Sequence, residues 1–506
     1  MRKLYLILLL PIFWLTSCND FLDVSADNEL LQKEIFGDYK GVRMAVNGVY
    51  RSLSSTSLYG QNLTWGFASA IGHNYQSTSQ YYLPYGLYEV ASFDWENASA
   101  QSLTESIWSK GYNVIASCND IIQQVISKDT SFFGEGKMEK DMILGEMYGV
   151  RALVHFDLFR LFCPAPVTQN TGRAIPYVTR YPDLQPSYQN APAFMDSVIV
   201  DMTRAQSLLA VVDTVFNRRQ NTSIYSRVRS DGRGLVDAPD DFFLYRATRM
   251  NYFAANALLA RMYLYNGDEE NAYKNACLAY DFHLRWFRWT GSSYQGGVSN
   301  INFLYPKRYN ELFLCFSNND VVDNVENILK GYSSALRMKN MDILFAGDMD
   351  DYRYTGFYNK TTLAYGAQRY ATWLRFSGET FKEVLDQLPL LPVIRASEMY
   401  HIQIEYLLNK GRKEEAIELF NSLRTNRGAK TRLTTDMTID DLRLKLVYDI
   451  IRETLTEGQT FFMFKRLNRD IFNGSDDIKM TPEKWVVPIP YSCLLYTSDA
   501  ADDLIG

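Results

Sequence analysis

Along most of this chain apolar residues return at i, i+3, i+4 and i+7, the spacing of one face of a helix. Trp108, Tyr112, Ile115, Ile122 and Ile126 share one side of a helix expected from about Glu105 to Lys128. Met147, Val150, Val154, Leu158 and Leu161 mark a second. Cys163-Pro164-Ala165-Pro166 ends it, since proline lacks an amide hydrogen and clashes with the preceding turn. A third helix is expected from about Tyr245 to Tyr265, with Gly267 as its C-terminal cap, and a fourth from Glu269 to Phe282.

The last two form a helix–turn–helix, AANALLARMYLYNGDEENAYKNACLAY, and the design returns as ASEMYHIQIEYLLNKGRKEEAIELFNSLR. Aligning Gly267 with Gly411 sets Tyr263 on Leu407, Ala272 on Ala416 and Ala276 on Phe420. Large residue, glycine turn, small residue, packing residue resembles the tetratricopeptide pattern, in which small side chains let the second helix lie close to the first. A weaker pair joins Trp108–Lys128 to Lys137–Phe162. The expected fold class is therefore mostly α, an interrupted α-α superhelix with helix pairs near 105–162, 245–282 and 395–425. Between the helices lie Ser52–Ala100, Pro164–Pro192, Asn217–Asp241, Arg285–Asp320 and Asp342–Gly378, which read as long irregular loops. Loops of that length in a folded chain usually carry function.

Composition changes the picture in one respect. With 47% hydrophobic and 22% charged residues the chain is ordinary globular protein, and a net charge of −6 argues against nucleic acid as a partner. But Tyr (35) outnumbers Gly (29), Trp adds 8 and Phe 29, while His counts only 4. Many aromatics and few histidines favour binding flat neutral ligands over proton-transfer or zinc chemistry.

Both ends read as something other than fold. Arg2 and Lys3 precede an apolar run from Leu4 to Leu15, too short to span a bilayer and fitting a secretory signal. Leu15-Thr16-Ser17-Cys18 resembles a lipobox, making residues 1–17 a removed signal and Cys18 the lipidation site. At the other end CLLYTSDAAD, from Cys493, resembles a translated sequencing adapter, so residues 493–506 are expected to be an artefact. Residues 18–492 then form a single domain. The remaining Cys118, Cys163, Cys277 and Cys315 have no zinc spacing, and the first three read as buried apolar residues.

Several blocks resemble the SusD/RagB family of Bacteroidetes outer-membrane lipoproteins: CNDFLDV from Cys18, VIASCNDIIQQV at Val114–Val125, and EMYGVRALVHFDLFRLF at Glu146–Phe162. Others are Arg395–Gly428, the REXXXEGQXFFXXKR motif from Arg452 to Arg466, and VPIP at Val487–Pro490. His155, His401 and Cys163 depart from the usual pattern. The resemblance implies a helical, tetratricopeptide-like fold. It also implies a lipid anchor in the outer membrane at the cell surface, and a SusC-like TonB-dependent transporter as partner. Such proteins capture glycans, or in some members peptides, and deliver them for import without catalysis.

Sugar rings present flat C–H faces that stack on aromatics, while their hydroxyls need amide and charged donors. Trp65, Tyr75, Tyr81, Tyr82, Tyr85, Tyr88 and Trp95 crowd one segment with His73, Asn74, Gln76 and Gln80. Trp286, Trp289 and Tyr294 crowd another with Gln295 and Asn300. Trp95, Trp286 and Trp289 are the first choices as ligand platforms, with Trp65, Tyr75, Tyr82 and Tyr294 behind them. Glu398-x-x-His401 is half a carboxylate metal motif and reads as structural. Glu453 and Glu457, one helical turn apart, read as a charge network before a glycosidase pair. Asp348–Asp351 reads as a solvated acidic turn before a structural calcium site, and no cofactor is expected. A surface glycoside hydrolase and a tetratricopeptide-type protein-binding scaffold are the rival functions.

Overall fold

The computed structural model describes residues 32–490 except 170, 184–185, 229–237, 291–306, 360–362, 371–384 and 473–476. Cys18, Tyr294, Gln295, Asn300, the signal and the segment from Cys493 lie outside the described residues. The chain is mostly helical, with 59% helix and few short strands.

Helices α1 (Tyr39–Leu53), α2 (Ala98–Ile126), α3 (Gly136–Phe162) and α4 (Ala191–Val211) form the first array. The two expected here begin earlier or where the spacing places them, and α2 gains a turn and more because Asn97 caps Ser99 N. Inter-helix contacts fix directions. Phe194 of α4 stacks on Phe159 of α3 at 5.0 Å, Arg151 pairs with Asp201 at 2.7 Å, and Asn217, just past α4, reaches Met142 at 3.6 Å. So α4 runs antiparallel to α3. Arg43–Glu139 and Tyr50–Glu146 contacts show that α1 runs parallel to it. The start of α1, the end of α2, the start of α3 and the end of α4 therefore share one end of the array.

The repeated units follow as α5 (Tyr252–Tyr265) with α6 (Glu269–Trp286), and, after α7 (Val321–Gly331), α8 (Ala396–Asn409) with α9 (Lys413–Asn426). Gly267 and Gly411 both take positive φ, +83° and +72°, which only glycine adopts without strain. Ala272, Ala276, Ala416 and Phe420 are buried in the helix pairs as the alignment requires. The units also dock on each other, with Tyr273 of α6 stacked 4.0 Å from Tyr406 of α8. The third helix starts at Tyr252 and not Tyr245. Asn251 caps it through Ala254 N, while Arg246 and Arg249 just before it turn inward to Glu146. The fourth extends to Trp286.

Strands β1 (Leu312–Ser317) and β2 (Leu390–Arg395) pair antiparallel, Leu312 with Arg395 and Ser317 with Leu390. Apart from Ser317 both are buried, and their unbroken apolar runs show no alternation, so Arg285–Asp320 reads from sequence as loop. Helices α10 (Ile439–Thr454), opened by a Thr438/Asp441 capping box, and α11 (Thr460–Leu467) close the chain. One apolar core reaches from Phe36 to Val487, and a second is shared by α8, α9 and Leu442 and Leu446 of the helix that begins at Ile439. Cys118, Cys163 and Cys315 are buried, Cys277 is half-buried, and all four are free. Among the described residues no helix is long and apolar enough to cross a membrane.

Candidate functional site

The sequence offers carboxylates and aromatics as functional material, and the fold treats them differently. Glu453 on α10 accepts Arg353 at 2.7 Å, Ser397 at 3.0 Å, and Arg427. Arg353 is shared with Asp351 and Asp449, and Arg427 with Glu311. Burial alone would raise the Glu453 carboxyl, yet Arg427 and Arg353 hold it well below the usual carboxylate range. Glu457 accepts Arg369 at 2.5 Å and Arg395 at 2.9 Å. The two glutamates are the hub of a buried ion network that ties Arg353, Arg369, Arg395 and Arg427, and through Arg427 Glu311, to the end of α10 and the turn after it.

Glu398 is held in a fork by Arg261 at 2.6 and 2.7 Å, and His401 contacts Asp449 at 2.9 Å. Among the described residues no group of three or more His, Cys, Asp and Glu is placed to hold a metal. The acidic turn at 348–351 is not solvated throughout. Asp348 is buried between Arg424 and Arg452, 2.7 and 2.8 Å away, and Asp351 is fully buried on Arg353. Only Asp350 of the pair's neighbours faces Lys430 at the surface.

The tryptophans and tyrosines divide into three groups. Trp65 and Tyr75 are fully buried. Trp65 donates to Gly60 O at 2.9 Å and Tyr75 to Trp65 O at 2.7 Å, so both fasten the 59–75 loop and offer no face to a ligand. Trp289 is wedged between His283, Tyr400 and the Arg427 guanidinium, at 4.6, 5.1 and 4.7 Å, which occupies its ring. Trp95 and Trp286 are half-exposed. Trp95 lies on Phe67 at 6.2 Å and Trp286 on Phe282 at 5.8 Å, each with one side packed. Tyr82 is half-buried and belongs to a larger assembly.

That assembly joins two distant stretches. Gln76 N donates to Arg337 O, Lys339 N to Asn74 O, Leu336 N to Tyr82 O and Met338 N to Tyr365 O, all at 2.9–3.1 Å. Segment 336–339 is thus stitched between 74–82 on one side and 365–366 on the other, with β-bridges Tyr75–Met338 and Arg337–Gly366. On this frame Tyr81 meets Tyr82 edge-on at 5.5 Å, Tyr85 meets Tyr332 edge-on at 5.7 Å, and Tyr365 contacts Tyr354 and Tyr358 at 5.0 and 5.2 Å. Tyr85 is 62% exposed, Tyr81 50% and Tyr358 37%. Hydrogen bonds from Ser333 and Ser334 hold the Tyr81 phenol below its usual value. Tyr81 and Tyr85 are supported from the side by edge-to-face partners, whereas Tyr365 lies tilted at 39° and 59° to Tyr354 and Tyr358. Tyr332, Tyr354, Tyr358 and Tyr365 escape sequence reading because they lie some 250 residues from the 75–88 loop and no periodicity links the two.

A cavity of about 500 Å³ lies elsewhere, between α1 and residues 241–249. Its Arg43 and Arg249 are paired with Glu139 and Glu146, and both guanidinium groups lie over the Phe242 ring, at 4.8 and 4.1 Å. Two of its arginines and the Phe242 ring are therefore already engaged with one another or with buried carboxylates.

Comparison with known proteins adds the following. Residues 20–264 match the SusD-like_3 family, described as "Starch-binding associating with outer membrane". The fold is similar to that of a SusD superfamily protein from Bacteroides thetaiotaomicron, at 21% identity and a TM-score of 0.63, covering 90% of this chain and 97% of that one. It is also similar to a SusD-like carbohydrate binding protein from Bacteroides vulgatus, at 15% identity and a TM-score of 0.64, covering 91% and 97%. A third likeness is to a SusD superfamily protein from Bacteroides fragilis, at 15% identity and a TM-score of 0.63, covering 92% and 99%. No curated protein matches the chain.

Proposed function

We propose, from the match of residues 20–264 to a starch-binding, outer-membrane-associating family, that the chain is a SusD/RagB-family surface lipoprotein of the outer membrane that captures oligosaccharides. It then delivers them to a SusC-like TonB-dependent transporter. The family description, starch binding in association with the outer membrane, and the carbohydrate-binding relative from Bacteroides vulgatus support the ligand class. The observation that carries the reading is the tyrosine surface, where Tyr81 and Tyr85 stand exposed on a backbone stitched from both sides. Rings held in place before the ligand arrives lose little conformational freedom on binding. Flat faces take the C–H side of a sugar, and the surrounding hydroxyls, Gln80 and Arg337 take its oxygens. Trp95 and Trp286, each with a packed and an open side, are secondary platforms at separate places on the surface.

No covalent step is part of this scheme. Capture is followed by transfer to the partner barrel, and Cys18 carries the anchor. A glycan panel titrated against the purified protein tests it. Tyr85→Ala and Tyr81→Ala are each expected to weaken the binding oligosaccharide at least tenfold, and Trp95→Ala and Trp286→Ala to weaken it less. Undiminished affinity in both tyrosine variants removes the site assignment. Binding of peptides and of no glycan reassigns the ligand class, and turnover of an oligosaccharide moves the protein to the hydrolases.

A further inference from the structure

The described stretches that build the tyrosine surface, 74–89, 321–342, 354–359 and 363–370, carry few charges, and all but one are engaged within the protein. Glu89 accepts Gln80 at 2.5 Å, Asp342 accepts Tyr354, Glu326 pairs with Lys330 at 3.4 Å, and Arg369 pairs with Glu457 at 2.5 Å. Asp323 and Lys339 have partners as well. Arg337 is the exception. Its side chain makes no hydrogen bond or ion pair with another described residue, and its Nε is closed off from water without an acceptor. Its two terminal nitrogens stay open to solvent.

The fold sets this arginine in the middle of the surface. Leu336 and Met338 beside it are buried in the core, and Arg337 between them is half-buried. Its carbonyl accepts Gln76 N at 2.9 Å, which ties it to the stretch bearing Tyr81 and Tyr85. On the other side the residue bridged to it is Gly366. Directly paired residues normally set their side chains about 5 Å apart, and here the partner has no side chain. The space beside the guanidinium is therefore left unfilled from across the bridge. A Cβ at 366 would meet only Leu336 O and Gln368 Nε2, at 3.5 and 3.7 Å. The Tyr81 phenol oxygen accepts hydrogen bonds from Ser333 and Ser334, which lower its phenol, and the Arg337 charge lowers it further. Guanidinium and phenol thus both have hydrogens to offer outward.

A sugar hydroxyl both donates and accepts, so a guanidinium matched to neutral sugar works best beside a carboxylate that takes the hydroxyl hydrogen. Arg337 has no such neighbour. It supplies donors alone, with a charge that nothing beside it compensates. The group that fits is an acceptor-only anion, held by parallel N–H bonds from the planar fork. We propose that the tyrosine surface takes acidic oligosaccharides, with Arg337 pairing the anionic substituent, a uronic acid carboxylate or a sulfate ester. Tyr81 and Tyr85 take the ring faces of the same chain. The inference rests on the oligosaccharide reading above and narrows it to one class of glycan.

Affinity electrophoresis of the purified protein tests it, with gels of polygalacturonate, alginate, hyaluronan and κ-carrageenan set against gels of starch, galactan and xylan. An acidic gel should retard the protein. Oligosaccharides of that polysaccharide are then titrated before and after carboxyl reduction or desulfation. Removing the charge should weaken binding at least tenfold, and which treatment does so separates carboxylate from sulfate. Affinity for the acidic form should also fall with added salt. Arg337→Met should weaken the acidic form at least tenfold and leave its neutral form unchanged, with Arg337→Lys in between. Gly366→Asp, which sets a carboxylate beside an intact Arg337, should weaken the acidic form as well. The melting temperature of Arg337→Met should stay that of the parent, since the side chain it replaces bonds to nothing in the fold. Retardation by neutral gels alone, charge removal without effect, or an Arg337→Met that binds the acidic form as the parent does overturns the acidic class and leaves the oligosaccharide reading standing. Retardation in no gel overturns both.

Discussion

Glu453 has all its oxygens inside the protein, between Arg353, Arg427 and Ser397. Removing one partner of such a buried pair leaves uncompensated charge and costs about 3–5 kcal/mol. Glu453→Ala is expected to lower stability in urea denaturation by that amount, and Glu453→Gln, which keeps acceptors and volume, by less. An unchanged midpoint in Glu453→Ala would deny the network its structural role. The motif shows two glutamates four apart, which is legible as a network. Its partners at 311, 353, 369, 395 and 427 are not legible, since no local rule pairs them. The same holds for Asp348, whose arginines lie 76 and 104 residues away. A short acidic run looks solvated until the chain brings cations to it.

Among the elements, helices whose apolar face repeats over several turns could be placed from spacing alone, and the tetratricopeptide-like pairs follow from the two glycines. Helix α4 could not, because Pro192 within a proline-rich stretch reads as loop. The proline stands in the first turn, where a missing N–H costs nothing. Tryptophan placement was the least legible part of the site. Composition shows that rings are abundant, but only packing decides that Trp65 closes a loop while Tyr85 faces water. The α10–α11 turn carries a sharper requirement. Gly458 has φ +72°, and a Cβ there would lie 2.3 Å from Leu63 O. Backbone cannot yield as a side-chain tip can. Gly458→Ala is therefore expected to cost about 3 kcal/mol or more. Hydrogen exchange of residues 58–72 should speed up with it, and unaltered protection there would refute the contact.

For the whole molecule the scarce histidines set the response to acid. Burial, with Lys339 and Lys484 adding to it, lowers His73 to about 4; burial and Arg151 lower His155 to about 3; burial lowers His283 to about 4. His155 accepts Val178 N on Nε2 at 3.0 Å, which requires its neutral form. The unfolded chain binds protons near pH 6.5 and the folded chain does not, so stability is fully present above about 6.5 and falls as pH drops toward 4. The urea midpoint should decline between pH 7 and pH 4.5 before the carboxylates titrate. A flat profile would mean the three rings are protonated in the fold.

The stitching of 336–339 between 74–82 and 365–366 has a consequence in time. Synthesis delivers the chain from its N-terminus, so the strip bearing Tyr81 and Tyr85 emerges hundreds of residues before the strips that brace it. Contacts of such long sequence separation form late. A nascent or truncated chain ending before residue 366 carries the sequence of the first helix array but lacks the strip that completes the tyrosine surface. On the proposed function, ligand competence would then report that the chain has been completed.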